Sequence, residues 1–202
     1  MMRRLLLAVM IAAWLAGCGD KVPPVAKLGA TDVVLAFGDS LTYGTGARAE
    51  ESYPAVLGQL IGRTVVRAGV PGEVTARGLE RLPDILDEHK PRLVIVCLGG
   101  NDMLRKGTPA NIEANLRKML KIIKSRGLDA VLIGVPTPTL ITRPPDFYGK
   151  LAKEFAIPYE SDIVTSVLYK SDLKSDPIHP NAAGYRKMAE AVAALLRDAG
   201  AI

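Results

Sequence analysis

Residues 33–42 read VVLAFGDSLT, and this stretch decides both the fold and the place of its chemistry. Five apolar residues in a row are typical of a strand that is buried on both faces of a parallel sheet. A Gly-Asp-Ser triplet follows directly, so the Ser40 hydroxyl is expected where the strand ends and the chain turns. In open parallel sheets the carboxyl ends of the strands border the crevice in which ligands bind. Ser40 is therefore a candidate nucleophile that needs a base, an orienting acid and oxyanion donors.

Apolar strands alternate with amphipathic helices along the rest of the chain, which predicts right-handed crossovers and a parallel sheet. The expected fold class is α/β, a three-layer α/β/α sandwich with a central parallel sheet of about five strands. The predicted strands are 33–37, 64–70, 93–98, 130–135 and 157–159. The predicted helices are 52–61, 75–88, 109–126, 146–155, 163–169 and 182–197. Pro83 marks either a late start or a kink in the second helix.

Length and composition fit one globular domain. The chain has 202 residues, of which 49% are hydrophobic and 23% charged, with a formal net charge of +5. The basic residues are spread among acidic ones without a run of like charge, which argues against nucleic-acid binding. No sequence pattern indicates an oligomer, so a monomer is favoured.

The first eighteen residues have the pattern of an export signal. Arg3 and Arg4 precede an apolar run from 5 to 16, which is too short to span a bilayer because about 20 residues are needed. The LAGC stretch at 15–18 resembles a bacterial lipobox, in which the cysteine is lipidated and becomes the mature N-terminus. Plain secretion and an uncleaved anchor are the alternatives.

These patterns divide the chain into a lipoprotein signal peptide at 1–17, a lipidated N-terminus and tether at 18–31, and one domain at 32–202. The protein is then exported and anchored to a membrane through lipid on Cys18, facing the periplasm or the cell exterior. Cys97 lies inside an apolar run and is expected to be a buried thiol without a disulfide partner.

Three later loops hold candidate partners for Ser40. They are PGE at 71–73, GGND at 99–102 and DPIHP at 176–180. The chain has two histidines, and His89 lies at a charged helix end where a surface position is expected, so His179 is the candidate base. Asp176 precedes it by three residues and can hold one imidazole nitrogen while the other faces the serine.

The four blocks in this order resemble the SGNH (GDSL) hydrolase family, named for Ser, Gly, Asn and His. The match covers 31–200 and is closest to the bacterial periplasmic thioesterase, lysophospholipase and arylesterase branch, with Pro71 and Pro177 as departures from its pattern. The resemblance implies a flavodoxin-like SGNH hydrolase domain. It implies Ser40 as nucleophile, His179 as base and then acid, and Asp176 as its orienter. It also implies an oxyanion hole formed by the Ser40 N–H, the Gly72 N–H and the Asn101 side chain.

The expected substrate is a small-molecule carboxylic ester: a lysophospholipid, an aryl ester or a short-to-medium acyl ester, with acyl-thioesters left open. No cofactor and no metal are expected. Apolar residues beside the catalytic loops are candidates for an acyl groove, although packing under the loops explains each of them equally well. They are Leu41, Met103, Leu104, Leu140, Ile141 and Ile178.

Two other functions are weighed against this esterase. A carbohydrate O-acetylesterase uses the same constellation, and a non-catalytic surface-binding lipoprotein uses only the fold. A flavodoxin-type nucleotide binder is disfavoured because the loop after the first strand continues LTYGTG and lacks a phosphate-binding pattern.

Overall fold

The computed structural model describes residues 21–137 and 143–202, and within them five strands form one parallel sheet. The strands are β1 (Val33–Gly38), β2 (Thr64–Gly69), β3 (Leu93–Cys97), β4 (Asp129–Ile133) and β5 (Tyr159–Glu160). The helices are α1 (Ser40–Tyr43), α2 (Tyr53–Ile61), α3 (Thr75–His89), α4 (Gly100–Leu104), α5 (Pro109–Ser125), α6 (Phe147–Phe155), α7 (Ile163–Tyr169) and α8 (Ala182–Asp198). The predicted α/β/α sandwich with about five parallel strands is confirmed.

The strand order is β2-β1-β3-β4-β5, so the chain leaves β1 toward one side of the sheet and returns to its other side. Leu35 of β1 pairs with Val66 of β2 and with Val94 of β3. The chain adds β2 on one side of β1 and then adds β3 on the other side. The topological switch point of the sheet therefore lies between β1 and β3. At such a point the following loops separate toward opposite faces and leave a crevice at the carboxyl ends of the strands.

The helices cover the two faces of the sheet in two groups. On one face α2 packs against α8, and on the other α3 packs against α5. Every residue of β3 is buried, as the unbroken apolar run predicts, whereas β2 at the sheet edge is partly exposed. Cys97 is a buried free thiol, and its pKa is raised well above the ordinary value, first by burial. Among the described residues, no helix combines the length and apolar character that crossing a membrane requires.

Helix α3 corrects one sequence prediction. It begins at Thr75 and continues through Pro83 to His89, so a late start at the proline is wrong. Proline removes one helical N–H, but Leu82 and Leu86 are buried on the inner face and hold the helix on both sides of Pro83. His89 is partly exposed. It is the last residue of α3 and lies shortly before β3, at the end of the sheet opposite Ser40.

The segment before β1 corrects a second sequence prediction, the extent of the N-terminal tether. Residues 22–28, which we call the strap, cross the amino ends of the strands. The Val25 N–H donates to the Ala199 carbonyl at 2.9 Å, and the Leu28 N–H donates to the Ala201 carbonyl at 2.8 Å. Val25 and Leu28 are both buried in the core. The prediction of a tether reaching residue 31 is therefore wrong from Val25 onward, because apolar side chains in this stretch pack against the domain.

Candidate active site

The serine turn connects β1 to a helix of four residues. Asp39 is the N-cap of α1, and its carboxylate accepts the Leu41 N–H at 3.0 Å. Ser40 is the first helical residue, so its hydroxyl stands at the carboxyl end of a central strand. Gly38 is required here because any Cβ at this position would collide with the Cys97 carbonyl oxygen of the neighbouring strand.

Ser40, His179 and Asp176 form a continuous hydrogen-bonded chain. Ser40 Oγ lies 3.0 Å from His179 Nε2, and His179 Nδ1 lies 2.7 Å from Asp176 Oδ2. The other carboxylate oxygen of Asp176 accepts the N–H groups of Ile178 and His179, both at 2.9 Å. Burial pushes the pKa of Asp176 upward, but the hydrogen bonds from Ile178 and His179 outweigh it and leave the pKa below its ordinary value. Asp176 therefore stays ionised and orients the imidazole.

The loop that carries the histidine is closed at its base. The Ser175 N–H donates to the His179 carbonyl at 3.0 Å, and Lys174 and Pro180 form an antiparallel bridge. From the following helix α8, the buried Tyr185 hydroxyl donates to the Thr45 carbonyl at 2.7 Å. Tyr185 thus ties the histidine loop to the segment that follows the serine turn. Sequence analysis misses this residue because nothing in its local pattern separates it from ordinary core.

Gly72 lies in a turn whose sequence suits an oxyanion donor. The Glu73 N–H donates to the Val70 carbonyl at 3.1 Å, and Gly72 has a φ of 77°. Proline at the first central position and glycine at the second are the signature of a type II turn. Pro71, a departure from the family pattern, therefore supports this geometry. Within the described part of the chain, neither the Gly72 N–H nor the Ser40 N–H has a hydrogen-bond acceptor.

The third predicted donor, Asn101, is already engaged. Its side-chain amide donates to Asp39 Oδ2 at 3.2 Å and to the Glu73 carbonyl at 3.1 Å. These two bonds use both amide hydrogens and link the loops that follow β1, β2 and β3. An oxyanion in the crevice must therefore replace one of the two acceptors before Asn101 can bind it.

Asp39 is the unusual carboxyl group of the site. It is 2% exposed, and its pKa is raised to about 7. Burial is the main cause and the negative charge of Glu73 adds to it, while the hydrogen bonds from Leu41 and Asn101 oppose it. At neutral pH this carboxyl group is therefore near the midpoint of its titration, one residue from the nucleophile.

Polar side chains that sequence analysis misses support these loops. Arg81 donates to both carboxylate oxygens of the buried Glu73, at 2.9 and 2.7 Å. Asp102 of α4 accepts the Thr75 N–H at 2.8 Å and the Thr75 hydroxyl at 2.6 Å, which caps the start of α3. No sequence pattern pairs Glu73 with Arg81, because they meet only once α3 folds back along the sheet.

The crevice beside Ser40 is largely apolar. Of the predicted groove residues, Leu41, Leu104 and Ile178 line it. Beside the polar residues of the site, the lining also includes Gly100, Val135, Pro136, Leu168 and Pro177. Met103 on the same helix is partly buried, packs against the core and accepts the Thr137 hydroxyl, and its place in the groove stays a prediction. Leu140 and Ile141 lie outside the described residues, as does Cys18.

Known proteins are similar to this chain in sequence and in fold. The profile of the GDSL-like Lipase/Acylhydrolase family matches residues 36–187. The chain is 36% identical over 163 residues to "Thioesterase 1/protease 1/lysophospholipase L1" of Escherichia coli (strain K12), covering 77% of this chain and 78% of that protein. It is 33% identical over 177 residues to the "Arylesterase" of Vibrio mimicus, covering 81% of this chain and 88% of that protein.

Solved structures agree with the sequence relatives. The crystal structure of TesA superposes with a TM-score of 0.74 at 28% identity, covering 83% of this chain and 99% of that chain. The SGNH-hydrolase family esterase AlinE4 superposes with a TM-score of 0.67 at 33% identity, covering 85% of this chain and 97% of that chain. The family match runs from within β1 into α8 and includes Ser40, Asn101 and His179. The chain therefore belongs to the GDSL-like lipase/acylhydrolase family, the SGNH hydrolases.

Proposed function

We propose that this protein is a serine esterase that hydrolyses carboxylic esters through an acyl-enzyme on Ser40. The observation that carries the proposal is the unbroken chain from Ser40 through His179 to Asp176, at 3.0 and 2.7 Å. Such a chain raises the nucleophilicity of a hydroxyl that is otherwise weak at neutral pH. It opens into an apolar crevice at the switch point of the sheet, where this fold class binds ligands.

The reaction uses the histidine twice. His179 Nε2 accepts the Ser40 proton while Oγ forms a bond to the ester carbonyl carbon, and the carbonyl oxygen becomes an oxyanion. His179 then returns the proton to the leaving alcohol oxygen as its bond to carbon breaks. Water attacks the acyl-enzyme by the same route, its proton passing to His179 and then to Ser40 Oγ as the acid leaves.

The oxyanion is stabilised by donors from separate loops. The Ser40 and Gly72 N–H groups are free to bind it, and each such donor is worth about 3–4 kcal/mol of barrier. Asn101 joins them when its amide exchanges the Asp39 oxygen, the more distant of its two acceptors, for the oxyanion.

The crevice favours an apolar acyl or aryl group. Leu41, Leu104, Leu168 and Ile178 line it beside the nucleophile. Relatives at 33–36% identity carry the names arylesterase and thioesterase/lysophospholipase. We therefore assign lysophospholipids, aryl esters and short-to-medium acyl esters as substrates, together with acyl-thioesters, whose hydrolysis needs only a sulfur leaving group.

A chain-length series on wild type and Ser40→Ala tests this function. Nitrophenyl esters and acyl-thioesters from two to twelve carbons are compared, with Ser125→Ala at the far end of α5 as the matched control. We expect wild type to hydrolyse esters with acyl chains longer than acetyl. We expect turnover to fall at least about 10³-fold in Ser40→Ala and to stay unchanged in Ser125→Ala. A fluorophosphonate is expected to label wild type and Ser125→Ala, but not Ser40→Ala.

Two results overturn parts of the proposal. A collapse of the rate beyond acetyl rejects the lipid-like and aryl substrates and favours a carbohydrate O-acetylesterase. Absence of both turnover and fluorophosphonate labelling in the folded wild type rejects the enzyme and favours a surface-binding protein.

We further propose that the chain is an exported lipoprotein, anchored through lipid on Cys18 and monomeric. The support is the order of Arg3-Arg4, the apolar run to residue 16 and LAGC at 15–18. In a bacterial host, mass spectrometry of the mature N-terminus is expected to find diacylglyceryl-Cys18, with the protein in the membrane fraction. Cys18→Ser is expected to lose that mass and leave the fraction, and an unmodified Cys18 rejects the anchor.

A further inference from the structure

We infer that the rim of the catalytic crevice is a docking surface for lipid assemblies with anionic headgroups, and that Ser40 receives esters directly from them. The rim is the surface around the crevice at the carboxyl ends of the strands. Four exposed apolar residues mark it: Tyr43, Val70, Leu104 and Tyr169. Docking follows from this surface alone, whereas delivery of the ester to Ser40 rests on the esterase proposed above.

Exposed apolar side chains are concentrated at the rim. Five large apolar side chains are exposed within residues 21–137 and 143–202, and four of them belong to the rim. The fifth is Leu60, which lies near the end of α2 and shortly before β2, at the opposite end of the sheet. A single exposed apolar side chain needs no explanation, but several around one opening indicate a surface that meets an apolar phase.

The neighbouring elements place these side chains beside the crevice. Leu104 ends α4 and lines the crevice itself, and Tyr169 ends α7 directly after the crevice residue Leu168. Tyr43 ends α1, the helix of the serine turn, and Val70 directly follows β2. Tyr169 is 79% exposed, although a tyrosine ring is amphipathic and suits the boundary between water and lipid. A lipid surface that touches these side chains therefore covers the opening of the crevice.

Cationic side chains accompany the apolar ones. Three exposed cations directly follow rim residues in the chain: Arg105, Lys106 and Lys170. The guanidinium group of a fourth, Arg67, stacks on the Tyr43 ring at 4.7 Å from its centroid. Lysine and arginine beside apolar side chains suit the headgroup level of a lipid surface, because the stem packs on apolar groups while the charge reaches the headgroups.

The carboxylates at this end leave most of these charges uncompensated. Among the described residues, none of the four cations pairs with a carboxylate. The carboxylates around the crevice are buried or already bonded within the protein: Asp39, Glu73, Asp102 and Asp176. Exposed carboxylates farther out, at Glu50, Asp146 and Asp162, lie near basic residues. Asp172, exposed two residues after Lys170, offsets one of the four positive charges. The remaining positive charge attracts anionic headgroups.

Docking delivers an ester without exposing its acyl chain to water. Apolar side chains line the crevice that opens between the rim residues, among them Leu41, Leu168 and Ile178. An acyl chain that passes from a lipid phase into this crevice exchanges one apolar environment for another, so little hydrophobic free energy opposes the transfer. The rim therefore favours esters whose carbonyl group lies at headgroup depth.

The depth of single labels in vesicles tests docking independently of catalysis. A fluorophore is placed at Leu104→Cys on the rim or at Leu60→Cys at the opposite end, where the native side chains are 42% and 44% exposed. All variants are full-length and carry Cys18→Ser, and Cys97 is buried, so only the introduced thiol reacts. We expect a quencher at headgroup depth in phosphatidylglycerol vesicles to lower the emission of the Leu104→Cys label and to leave that of the Leu60→Cys label unchanged.

The other outcomes of this experiment contradict the inference. Equal quenching of both labels, stronger quenching of the Leu60→Cys label, or quenching of neither overturns docking by the rim. Attachment of the N-terminal segment to the vesicle is common to both labels and cannot produce the expected difference. Equal quenching of the Leu104→Cys label in phosphatidylcholine vesicles overturns the preference for anionic headgroups.

Charge variants test the cationic part of the rim, with the Leu104→Cys label in place. Lys106→Gln with Lys170→Gln removes two rim charges. Lys27→Gln with Lys90→Gln removes two exposed charges at the opposite end and is the matched control. Each basic residue near an anionic surface is worth about a fivefold change in affinity. We expect the rim pair to need about 25-fold more lipid for half-maximal quenching, and the control pair less than about twofold more. Equal shifts for the two pairs overturn the role of the rim cations.

Turnover distinguishes a failure of docking from a failure of the esterase. The unlabelled Cys18→Ser chain is compared with its Lys106→Gln and Lys170→Gln double variant. The substrates are a long-chain nitrophenyl ester held in phosphatidylglycerol vesicles at subsaturating lipid and a short-chain ester in solution. We expect the double variant to lose at least about tenfold in turnover of the vesicle-held ester and to keep its turnover of the soluble one. Equal turnover of the vesicle-held ester overturns delivery from lipid. Absence of turnover of both esters rejects the esterase, while the labels still decide docking.

Discussion

Replacing Asp39 with asparagine is expected to change how the stability of the protein depends on pH. The pKa of Asp39 is raised from its ordinary value of 3.8 to about 7, chiefly by burial. The folded state therefore holds this proton more tightly than the unfolded chain does. The resulting stabilisation is complete below about pH 4 and is lost as the pH rises through 7. Above pH 7 the folded protein carries a buried charge that the unfolded chain keeps in water.

The magnitude follows from the difference between the two pKa values. About three pH units, at about 1.4 kcal/mol each, amount to about 4 kcal/mol over the whole window. About 2–3 kcal/mol of this falls between pH 5 and pH 8, where unfolding is easily measured. Asparagine has no proton to lose in this range, so the Asp39→Asn variant lacks this loss of stability. Its amide hydrogens face those of Asn101, which costs about 1–3 kcal/mol at every pH.

Urea unfolding of wild type and Asp39→Asn at pH 5, 6, 7 and 8 isolates the effect. From pH 5 to pH 8, the free energy of unfolding of wild type is expected to fall by about 2–3 kcal/mol relative to that of Asp39→Asn. Asp176, whose pKa is lowered, titrates in both proteins and cancels in the difference. A difference that stays constant within about 0.5 kcal/mol from pH 5 to 8 refutes the assignment of a raised pKa to Asp39.

Three further substitutions test the site. Asp176→Asn is expected to lower kcat about 10⁴-fold at pH 7 in esterase assays, because the imidazole loses its orienting anion while the fold stays intact by circular dichroism. Glu73→Gln is expected to lower the free energy of unfolding in urea by about 3–5 kcal/mol, because the partly buried Arg81 loses its carboxylate partner. The control Glu80→Gln, which breaks an exposed ion pair with Arg77, is expected to lower it by less than about 1 kcal/mol. Gly72→Ala is expected to cost about 1–2 kcal/mol in urea unfolding because of its φ of 77°, although it keeps the N–H; an unchanged free energy of unfolding contradicts the strain expected of this backbone conformation.

The elements that periodicity encodes could be predicted from the sequence. β3 is apolar at every position and lies at the centre of the sheet, and the amphipathic helices α5 and α8 stand where their apolar spacing indicates. The order of the blocks also brings Ser40, Asp176 and His179 together, because each follows a strand or precedes the last helix. These features depend on local pattern and on the general geometry of parallel sheets.

What could not be predicted depends on contacts between distant segments. The strap is an irregular stretch whose role appears only when the C-terminal residues 199–202 lie beside it. Helix α4 is too short for a periodic signal, so a helix directly after β3 was not evident. The raised pKa of Asp39 likewise depends on burial and on Glu73, which no residue spacing encodes.

The buried Asp39 joins the loops that carry the predicted oxyanion donors. Its carboxylate binds the serine turn through Leu41 and the loop after β3 through Asn101, while Asn101 also binds the Glu73 carbonyl beyond Gly72. These bonds hold the loops of all three predicted oxyanion donors to one carboxyl group and one amide. An apolar residue at position 39 would avoid the desolvation cost but would leave one amide hydrogen of Asn101 without its acceptor. The donors consequently act as one unit, so substitutions at Asp39 and Asn101 should be strongly non-additive in kcat.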